Sequence, residues 1–278
     1  MLLKLFAGLS AAGTVLSVSS AKTRLSGVKL AGLSALRFAE FYFGSLLTYI
    51  AALYAVSELK VDMNETQEKP SRFWQWNMDE LAEIICALVG AKVTVNGEDK
   101  LPEDGRYLMV CNHRSIFDPI ASIKVFGAKE FIYISKPENF KIPIVGAVMH
   151  KCGCLPVNRD NNREALAMVK QASKCINEDT ASVVIYPEGT RSREDELLPF
   201  HAGSFKIAQR TGVPVVISTI HGTDEIVRNV PLKRTKVELD ILDVLDGDFV
   251  KSHSTKETAQ IAQKMIQEHL DRKYRMKE

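Results

Sequence analysis

Two stretches without charged residues open the chain, before any regular alternation of hydrophobic and polar positions begins. The first covers residues 5–21, between Lys4 and Lys22, and the second covers residues 41–57, between Glu40 and Glu58. A helix rises about 1.5 Å per residue, so each stretch would form a helix of roughly 25 Å. A bilayer core is about 30 Å thick, so this length is marginal for crossing it. The pattern predicts an amino-terminal pair of hydrophobic helices, residues 1–60, that anchors the chain to a membrane.

A polar segment separates this region from the rest of the chain. Residues 62–71 are mostly polar and include Pro70, a composition that is typical of a linker. We therefore predict a linker over residues 61–72 and a second domain over residues 73–278.

Within the second domain, short apolar runs alternate with helical patterns. The predicted strands cover residues 93–95, 108–111, 131–135, 183–186, 215–219 and 237–242. The clearest helices are predicted over residues 163–177 and 255–273, and the latter places Ala259, Ala262, Ile266 and Leu270 on one face. This alternation predicts an α/β fold in which helices cover a mixed, mainly parallel sheet.

Composition argues against a nucleic-acid partner and against a zinc site. The 278 residues carry a formal net charge of +2, without a basic stripe interleaved with aromatic residues, so we expect no nucleic acid as a partner. The five cysteines lack the spacing of a four-ligand zinc site, and their odd number leaves one unpaired. We expect reduced, buried thiols and no metal.

The chemistry is expected at His113. It follows the apolar run 107–111 and precedes a helical pattern that begins near Ile120. A histidine accepts protons near neutral pH, and a carboxylate on its other ring nitrogen fixes the tautomer. Asp118 is the candidate carboxylate, five residues after His113. On one continuous helix, this spacing would rotate the two side chains about 140° apart. The pair therefore requires that His113 lie in a loop and Asp118 in the helix that follows. Alone, N-H-x-x-x-x-D also fits a surface histidine followed by a helix-capping aspartate.

Three further blocks follow this pair along the chain. Residues 153–159 read Gly-Cys-Leu-Pro-Val-Asn-Arg, residues 186–193 read Tyr-Pro-Glu-Gly-Thr-Arg-Ser-Arg, and residues 211–217 read Thr-Gly-Val-Pro-Val-Val-Ile. In this order and spacing, the four blocks closely resemble those of the glycerolipid acyltransferases, specifically the 1-acyl-sn-glycerol-3-phosphate acyltransferase family. The resemblance covers roughly residues 81–244 and implies a glycerol-3-phosphate acyltransferase-like fold.

The resemblance implies a reaction and a role for each block. A fatty acyl group passes from acyl-CoA or acyl carrier protein, as co-substrate, to the free hydroxyl of lysophosphatidic acid, and the product is phosphatidic acid. His113 is the general base, Asp118 orients it, and no acyl-enzyme forms. The residues that match the acceptor phosphate site are Arg159, Glu188, Gly189, Thr190 and Arg191, with Lys136 as a weaker match. Glu188 would contact the acceptor hydroxyl or brace an arginine, and no cofactor or metal is implied.

The sequence also departs from the family and leaves other functions open. Phe200-His201-Ala202-Gly203 stands where many relatives have Phe-Lys-x-Gly, so a histidine replaces a lysine. The alternatives are an acyltransferase for another lysophospholipid or for glycerol 3-phosphate, and a non-catalytic lipid-binding protein on the same scaffold. A hydrolase using Ser115 or Cys111 would lack the Gly-x-Ser-x-Gly elbow.

The resemblance also bears on the membrane arrangement. Basic residues lie between the two hydrophobic stretches, and the positive-inside rule would keep this connection in the cytoplasm. If both stretches crossed the bilayer, the second domain would emerge on the side opposite its cytosolic donor. Either only the first stretch crosses, or both lie in the interface, and we favour the interfacial anchor with the catalytic domain on the cytoplasmic face.

Overall fold

The structure is a computed structural model of the chain that describes residues 1–19, 27–65, 67, 69–158, 161–192 and 196–274. Residues 1–63 and residues 64–278 form two compact units.

The amino-terminal unit is a pair of helices, α1 (Leu2–Ser19) and α2 (Gly27–Lys60). Phe6 packs against Tyr49 with ring centroids 6.1 Å apart. A Cβ at Gly13 would lie 3.0 Å from the ring of Phe41, so glycine permits a close approach of the two helices there. Both helices are long and apolar enough to cross a membrane.

The second helix is longer than its apolar stretch indicates. It has 34 residues, so it is about 51 Å long, whereas the charge-free run 41–57 predicts roughly half of this length. Residues 27–40 contain charges but also many good helix formers, so the helix extends beyond the hydrophobic segment.

The carboxy-terminal unit contains one seven-stranded sheet. Its strands are β1 (Ala91–Asn96), β2 (Leu108–Cys111), β3 (Phe131–Ser135), β4 (Leu155–Pro156), β5 (Ser182–Ile185), β6 (Val215–His221) and β7 (Thr235–Leu245). Its helices are α3 (Arg72–Leu88), α4 (Phe117–Phe126), α5 (Val145–Lys151), α6 (Asn162–Asn177), α7 (Lys206–Thr211), α8 (Ile226–Asn229), α9 (Gly247–Ser252) and α10 (Thr255–Lys273). The six predicted strands and both predicted helices are present, with shifts of a few residues at some ends.

The strand order is β1-β7-β6-β2-β5-β3-β4. The strands from β6 to β4 pair in parallel, whereas β7 runs antiparallel to β6 and β1 is parallel to β7. The predicted mixed, mainly parallel sheet is therefore confirmed. Parallel pairing brings the carboxyl ends of β2, β3, β5 and β6 to one edge, which we call the carboxyl edge.

Helices cover both faces of this sheet. On one face, α6, α7 and α10 pack on a core that includes Val110, Ile185 and Ile217. The predicted face of α10 is confirmed, because Ala259, Ala262, Ile266 and Leu270 are all buried. On the other face, α4 packs beside α3 and β3. The core thus holds the carboxyl edge on rigid strands, and binding residues at strand ends are positioned by this scaffold.

One strand of this unit was not visible in the pattern, whereas the state of the cysteines was expected. The strand β4 has only two residues, too few for a periodic signal, and it pairs with Ile134 and Ser135 at the end of the sheet. All five cysteines are free, as expected, and four of them are buried.

Candidate active site

His113 and Asp118 meet across the turn between β2 and α4. His113 lies in the loop after β2, and Asp118 lies in the first turn of α4. The Nδ1 atom of His113 is 2.7 Å from the Oδ2 atom of Asp118. The imidazole is about 21% exposed, whereas the carboxylate is completely buried. Among the described residues, Nε2 has no hydrogen-bond partner, so the arrangement leaves one ring nitrogen able to accept a proton.

Three further donors hold the Asp118 carboxylate. Its Oδ2 atom also accepts the backbone N–H groups of Arg114 at 2.7 Å and of Ser115 at 2.8 Å. Its Oδ1 atom accepts the hydroxyl of Thr223, which is completely buried. Hydrogen bonds to an ionised acceptor are roughly twice as strong as neutral ones. The carboxylate is therefore fixed in place as well as buried.

Thr223 was missed by the sequence analysis. It lies two residues beyond β6, about 100 positions from Asp118 along the chain, and no motif connects the two residues. Its position just after a predicted strand could have indicated it, because polar residues that follow parallel strands converge at the carboxyl edge of the sheet.

The backbone of His113 is held by the block at residues 186–193. The Oε1 atom of Glu188 accepts the N–H of His113 at 2.6 Å, and the carbonyl of His113 accepts the N–H of Ser192 at 2.8 Å. The Oε2 atom of Glu188 accepts the N–H of Leu198 at 3.0 Å. Glu188 is only 3% exposed, and burial raises the pKa of its carboxyl. Its observed partners are thus two backbone amides, and its predicted contact with the acceptor hydroxyl or an arginine stays a prediction.

The turn after Glu188 depends on glycine. Gly189 has a φ of 82° and donates its N–H to the carbonyl of Tyr186 at 3.1 Å. A left-handed conformation at this position favours glycine over any residue with a Cβ. The turn leads to Thr190 and Arg191, which are both exposed.

Three cations were expected at the acceptor phosphate. Arg191 precedes Ser192, so its backbone is one residue from the contact with His113. Lys136 follows β3 and is exposed at the carboxyl edge. Within the described part of the chain, neither side chain has a hydrogen-bond or ion-pair partner. Arg159 follows β4 but lies outside the described residues, so its predicted role stays a prediction.

Two further contacts are made at His113 and at the residue before it. Its ring stacks on Tyr186, with centroids 4.5 Å apart and planes at 27°. The side chain of Asn112 exchanges two hydrogen bonds with the backbone of Ile220, at 2.8 and 3.0 Å, as a paired strand residue would. Both contacts join β2 to strands that are distant in sequence, and no local pattern predicted a role for either residue.

The two alternative nucleophiles are poorly placed for attack. Cys111 is 4% exposed, and burial raises the pKa of its thiol, which disfavours the reactive thiolate. Ser115 is 7% exposed, and its Oγ atom accepts the N–H of Phe117 at 3.3 Å. No group of three metal-ligating side chains occurs among the residues that the structure describes.

A cavity of about 830 Å³ opens beside the Glu188 turn. Its walls include Gly189 and Thr190 together with apolar side chains of α6, such as Leu166 and Met168. His201 also lines it. His113, Asp118 and Lys136 do not line this cavity.

Comparisons with known proteins converge on one family. The acyltransferase family model matches residues 92–220, which include both His113 and Glu188. A chloroplastic 1-acyl-sn-glycerol-3-phosphate acyltransferase of Brassica napus is 38% identical over 136 residues, which are 49% of this chain and 39% of that protein. The Haemophilus influenzae protein of the same name is 26% identical over 190 residues, 67% of this chain and 77% of that protein.

A solved structure supports the same fold. The 1-acyl-sn-glycerophosphate acyltransferase PlsC of Thermotoga maritima matches with a TM-score of 0.59 and 23% identity, over 81% of this chain and 88% of that one. The match to the Brassica protein covers less than half of that relative's length. Residues 92–220, which include blocks at the carboxyl edge, are therefore similar to the acyltransferase family.

Proposed function

We propose that this protein transfers a fatty acyl group from a thioester donor, acyl-CoA or acyl carrier protein, to the free hydroxyl of 1-acyl-sn-glycerol 3-phosphate. The product is phosphatidic acid. The observation that carries the proposal is the 2.7 Å contact between His113 and Asp118, which leaves Nε2 available at the carboxyl edge. The names of the matched relatives support the choice of acceptor.

The reaction follows from this geometry. Nε2 of His113 accepts the proton of the acceptor hydroxyl, while Nδ1–H donates to Asp118, and the buried carboxylate stabilises the imidazolium. The hydroxyl oxygen attacks the thioester carbonyl and gives a tetrahedral oxyanion. When this intermediate collapses, the C–S bond breaks, and the imidazolium returns its proton to the leaving thiolate. The ester and the free thiol are released together, and His113 is regenerated.

The acceptor phosphate is assigned to the cations at the same edge. A guanidinium forms two parallel hydrogen bonds with a phosphate, and this favours Arg191 as the main contact. Arg191 is exposed beside the His113 backbone, and Lys136 is exposed at the end of β3. Arg159 and the turn residues Gly189 and Thr190 complete the proposed site. Glu188 acts in this site through the backbone that it holds.

The proposed location is the cytoplasmic face of a membrane. Two amino-terminal helices that are apolar enough to cross a bilayer support membrane association. The cytoplasmic face is proposed because soluble acyl thioesters are made and kept there. Lysophosphatidic acid would reach the site from the lipid phase.

Thiol release from acyl-CoA tests the proposal directly. We expect the detergent-purified full chain to release thiol only when 1-acyl-sn-glycerol 3-phosphate is present, with phosphatidic acid identified by mass spectrometry. His113→Ala should lower turnover roughly 10²–10⁴-fold, the usual contribution of a general base. His253→Ala is the matched control, because His253 follows α9, away from the dyad.

Other outcomes identify the alternatives. Acceptor-independent release of free fatty acid would indicate a hydrolase, and release with a different lysophospholipid would change the acceptor. If acyl-CoA is inert, acyl carrier protein is the donor to try next. Inactivity with both donors would leave the lipid-binding alternative, and full activity of His113→Ala would contradict the mechanism.

A further inference from the structure

A connection at the carboxyl edge combines exposed apolar and basic side chains. Residues 222–234 join the end of β6 to the start of β7, so they lie at the edge that also carries His113. Val227 is 70% exposed, Val230 is 39% exposed and Leu232 is 96% exposed. Arg228, Lys233 and Arg234 are exposed among them. We call these six residues the edge patch.

Hydrogen bonds and a buried side chain fix the backbone of this connection, so its apolar side chains are held toward solvent. Ile226 is buried beneath it, and the N–H of Val230 bonds to the carbonyl of Ile226 at 3.0 Å. The N–H of Lys233 bonds to the carbonyl of Asn229 at 2.8 Å. The Asn229 side chain donates to Thr235 at the start of β7, at 2.9 Å. These bonds fix the backbone, so the exposure does not result from an unsupported loop.

The edge patch is also tied to the catalytic residues. The hydroxyl of Thr223, at the start of the same connection, donates to Asp118. Ile116, three residues after His113, is 55% exposed on the neighbouring loop. Apolar side chains are therefore exposed on both of the connections that the Asp118 and Thr223 contact joins.

The charges of this surface favour an anionic partner. Residues 226–235 contain three cations and no acid. Two acids precede them: Asp224 lies 3.3 Å from Arg114 and 3.9 Å from Arg228, and Glu225 is exposed. Apolar side chains that project beside cations fit the interface of a bilayer with anionic headgroups, where both kinds of contact stabilise binding.

We propose that the edge patch is a second membrane contact, which docks the catalytic unit on an anionic bilayer and presents the carboxyl edge to lipid. Leu232 and Val227 enter the headgroup region, and Lys233 and Arg234 bind lipid phosphates. This contact would act in addition to the amino-terminal anchor. Its use in delivering the acceptor rests on the proposed function, but docking itself does not.

The first experiment measures how deeply position 232 enters the bilayer, and it does not depend on enzyme activity. The full chain carries Leu232→Cys in a Cys175→Ala background, because the other native thiols are buried. A fluorescent label at 232 is followed in vesicles of phosphatidylcholine alone and of phosphatidylcholine with an equal amount of phosphatidylglycerol. Lipids with a nitroxide on the acyl chain quench the label if it enters the bilayer. Asp104→Cys is the matched control, exposed before β2 at the opposite edge.

We expect quenching at position 232 that is stronger with phosphatidylglycerol, and none at position 104. Lys233→Glu with Arg234→Glu should abolish the extra quenching, whereas Lys170→Glu with Lys256→Glu, a reversal of two exposed lysines on α6 and α10, should not. An unquenched label at 232 in both vesicles would overturn the proposal. A label that becomes shielded in detergent as protein concentration rises would also overturn it, since the patch would then bind a second copy of the chain.

Turnover separates this proposal from the proposed function. If docking delivers the acceptor, Lys233→Glu with Arg234→Glu should lose activity in phosphatidylglycerol vesicles and keep wild-type activity in detergent. If the wild type makes no phosphatidic acid but the label at 232 is quenched, the proposed function fails and the membrane contact stands. Equal vesicle activity of wild type and variant, together with unchanged quenching, would remove Lys233 and Arg234 from the contact and overturn the proposal.

Discussion

The carboxylate of Glu188 accepts the backbone N–H of His113 at 2.6 Å and so joins two blocks that lie 75 residues apart. The other carboxylate oxygen accepts the N–H of Leu198. The glutamate of the Glu-Gly-Thr-Arg sequence thus braces the backbone that carries His113. The same turn leaves Arg191 exposed one residue before the second contact with His113, so the proposed base and the proposed phosphate contact share one backbone connection.

Glu188→Gln should disturb this connection. A glutamine side chain has only one oxygen, so its amide group would face one of the two backbone N–H donors. We expect a loss of about 1–3 kcal/mol in the free energy of unfolding, typical of an unsatisfied buried donor, and reduced turnover. Denaturant unfolding and kcat measure both effects. Glu196→Gln, an exposed position in the same connection, should change neither; equal stability of the two variants would contradict the bracing role.

Thr223→Val should lower kcat by about tenfold, because it removes one charge-assisted hydrogen bond from Asp118 while keeping the side-chain shape. The KM for the acceptor should change little, since Thr223 is completely buried and does not reach the substrate.

Two comparisons separate this effect from a structural one. Thr219→Val on β6 replaces a buried hydroxyl that has no hydrogen-bond partner in the described part of the chain, and we expect it to retain kcat. Thr223→Ser should restore most of the activity because it returns the hydroxyl. If serine fails to restore kcat, or if the Thr219 variant loses as much, the hydrogen bond to Asp118 is not the cause.

Arg191→Ala should mainly raise the KM for the acceptor, since the proposed phosphate contact lies away from the reacting atoms. Steady-state kinetics with varied lysophosphatidic acid at saturating donor give both constants. Arg210→Ala, an exposed arginine on α7, is the control. Unchanged acceptor dependence in the Arg191 variant would remove it from the phosphate site, and Arg159→Ala would then be the variant to measure.

Asp240 should contribute to the pH dependence of stability. Burial alone would raise the pKa of its carboxyl, but hydrogen bonds from Lys273 at 2.6 Å, Asn96 at 2.6 Å and His269 at 2.9 Å outweigh burial and lower it. A depressed pKa in the folded protein gives stability that is present above the unfolded value of 3.8 and is lost as the pH falls through the folded value.

Asp240→Asn should therefore cost about 2 kcal/mol in the free energy of unfolding near neutral pH, and less as the wild-type carboxyl becomes protonated in acid. Urea titrations at several pH values measure this difference. Asp243→Asn, an exposed position on the same strand, should show no such pH-dependent loss. A difference between Asp240→Asn and the wild type that stays constant down to strong acid would contradict the charge-based explanation.

The sequence by itself determined the elements and the central pair. Apolar runs as short as residues 108–111 and 131–135 predicted strands with their observed bounds, because fully buried parallel strands are continuously apolar. The spacing of His113 and Asp118 required a turn between loop and helix, and α4 begins between them, at Phe117. Local periodicity and chain geometry were sufficient for these conclusions.

Only the tertiary structure decided which distant groups support that pair. Thr223, Tyr186 and Glu188 reach His113 or Asp118 because β6 and β5 lie on either side of β2, and strand order is not encoded in any local pattern. In the same way, His269 binds Asp240 because α10 packs over β7. Local propensities act over a few residues, whereas these contacts arise from burying a whole sheet at once, so they were visible only in the folded chain.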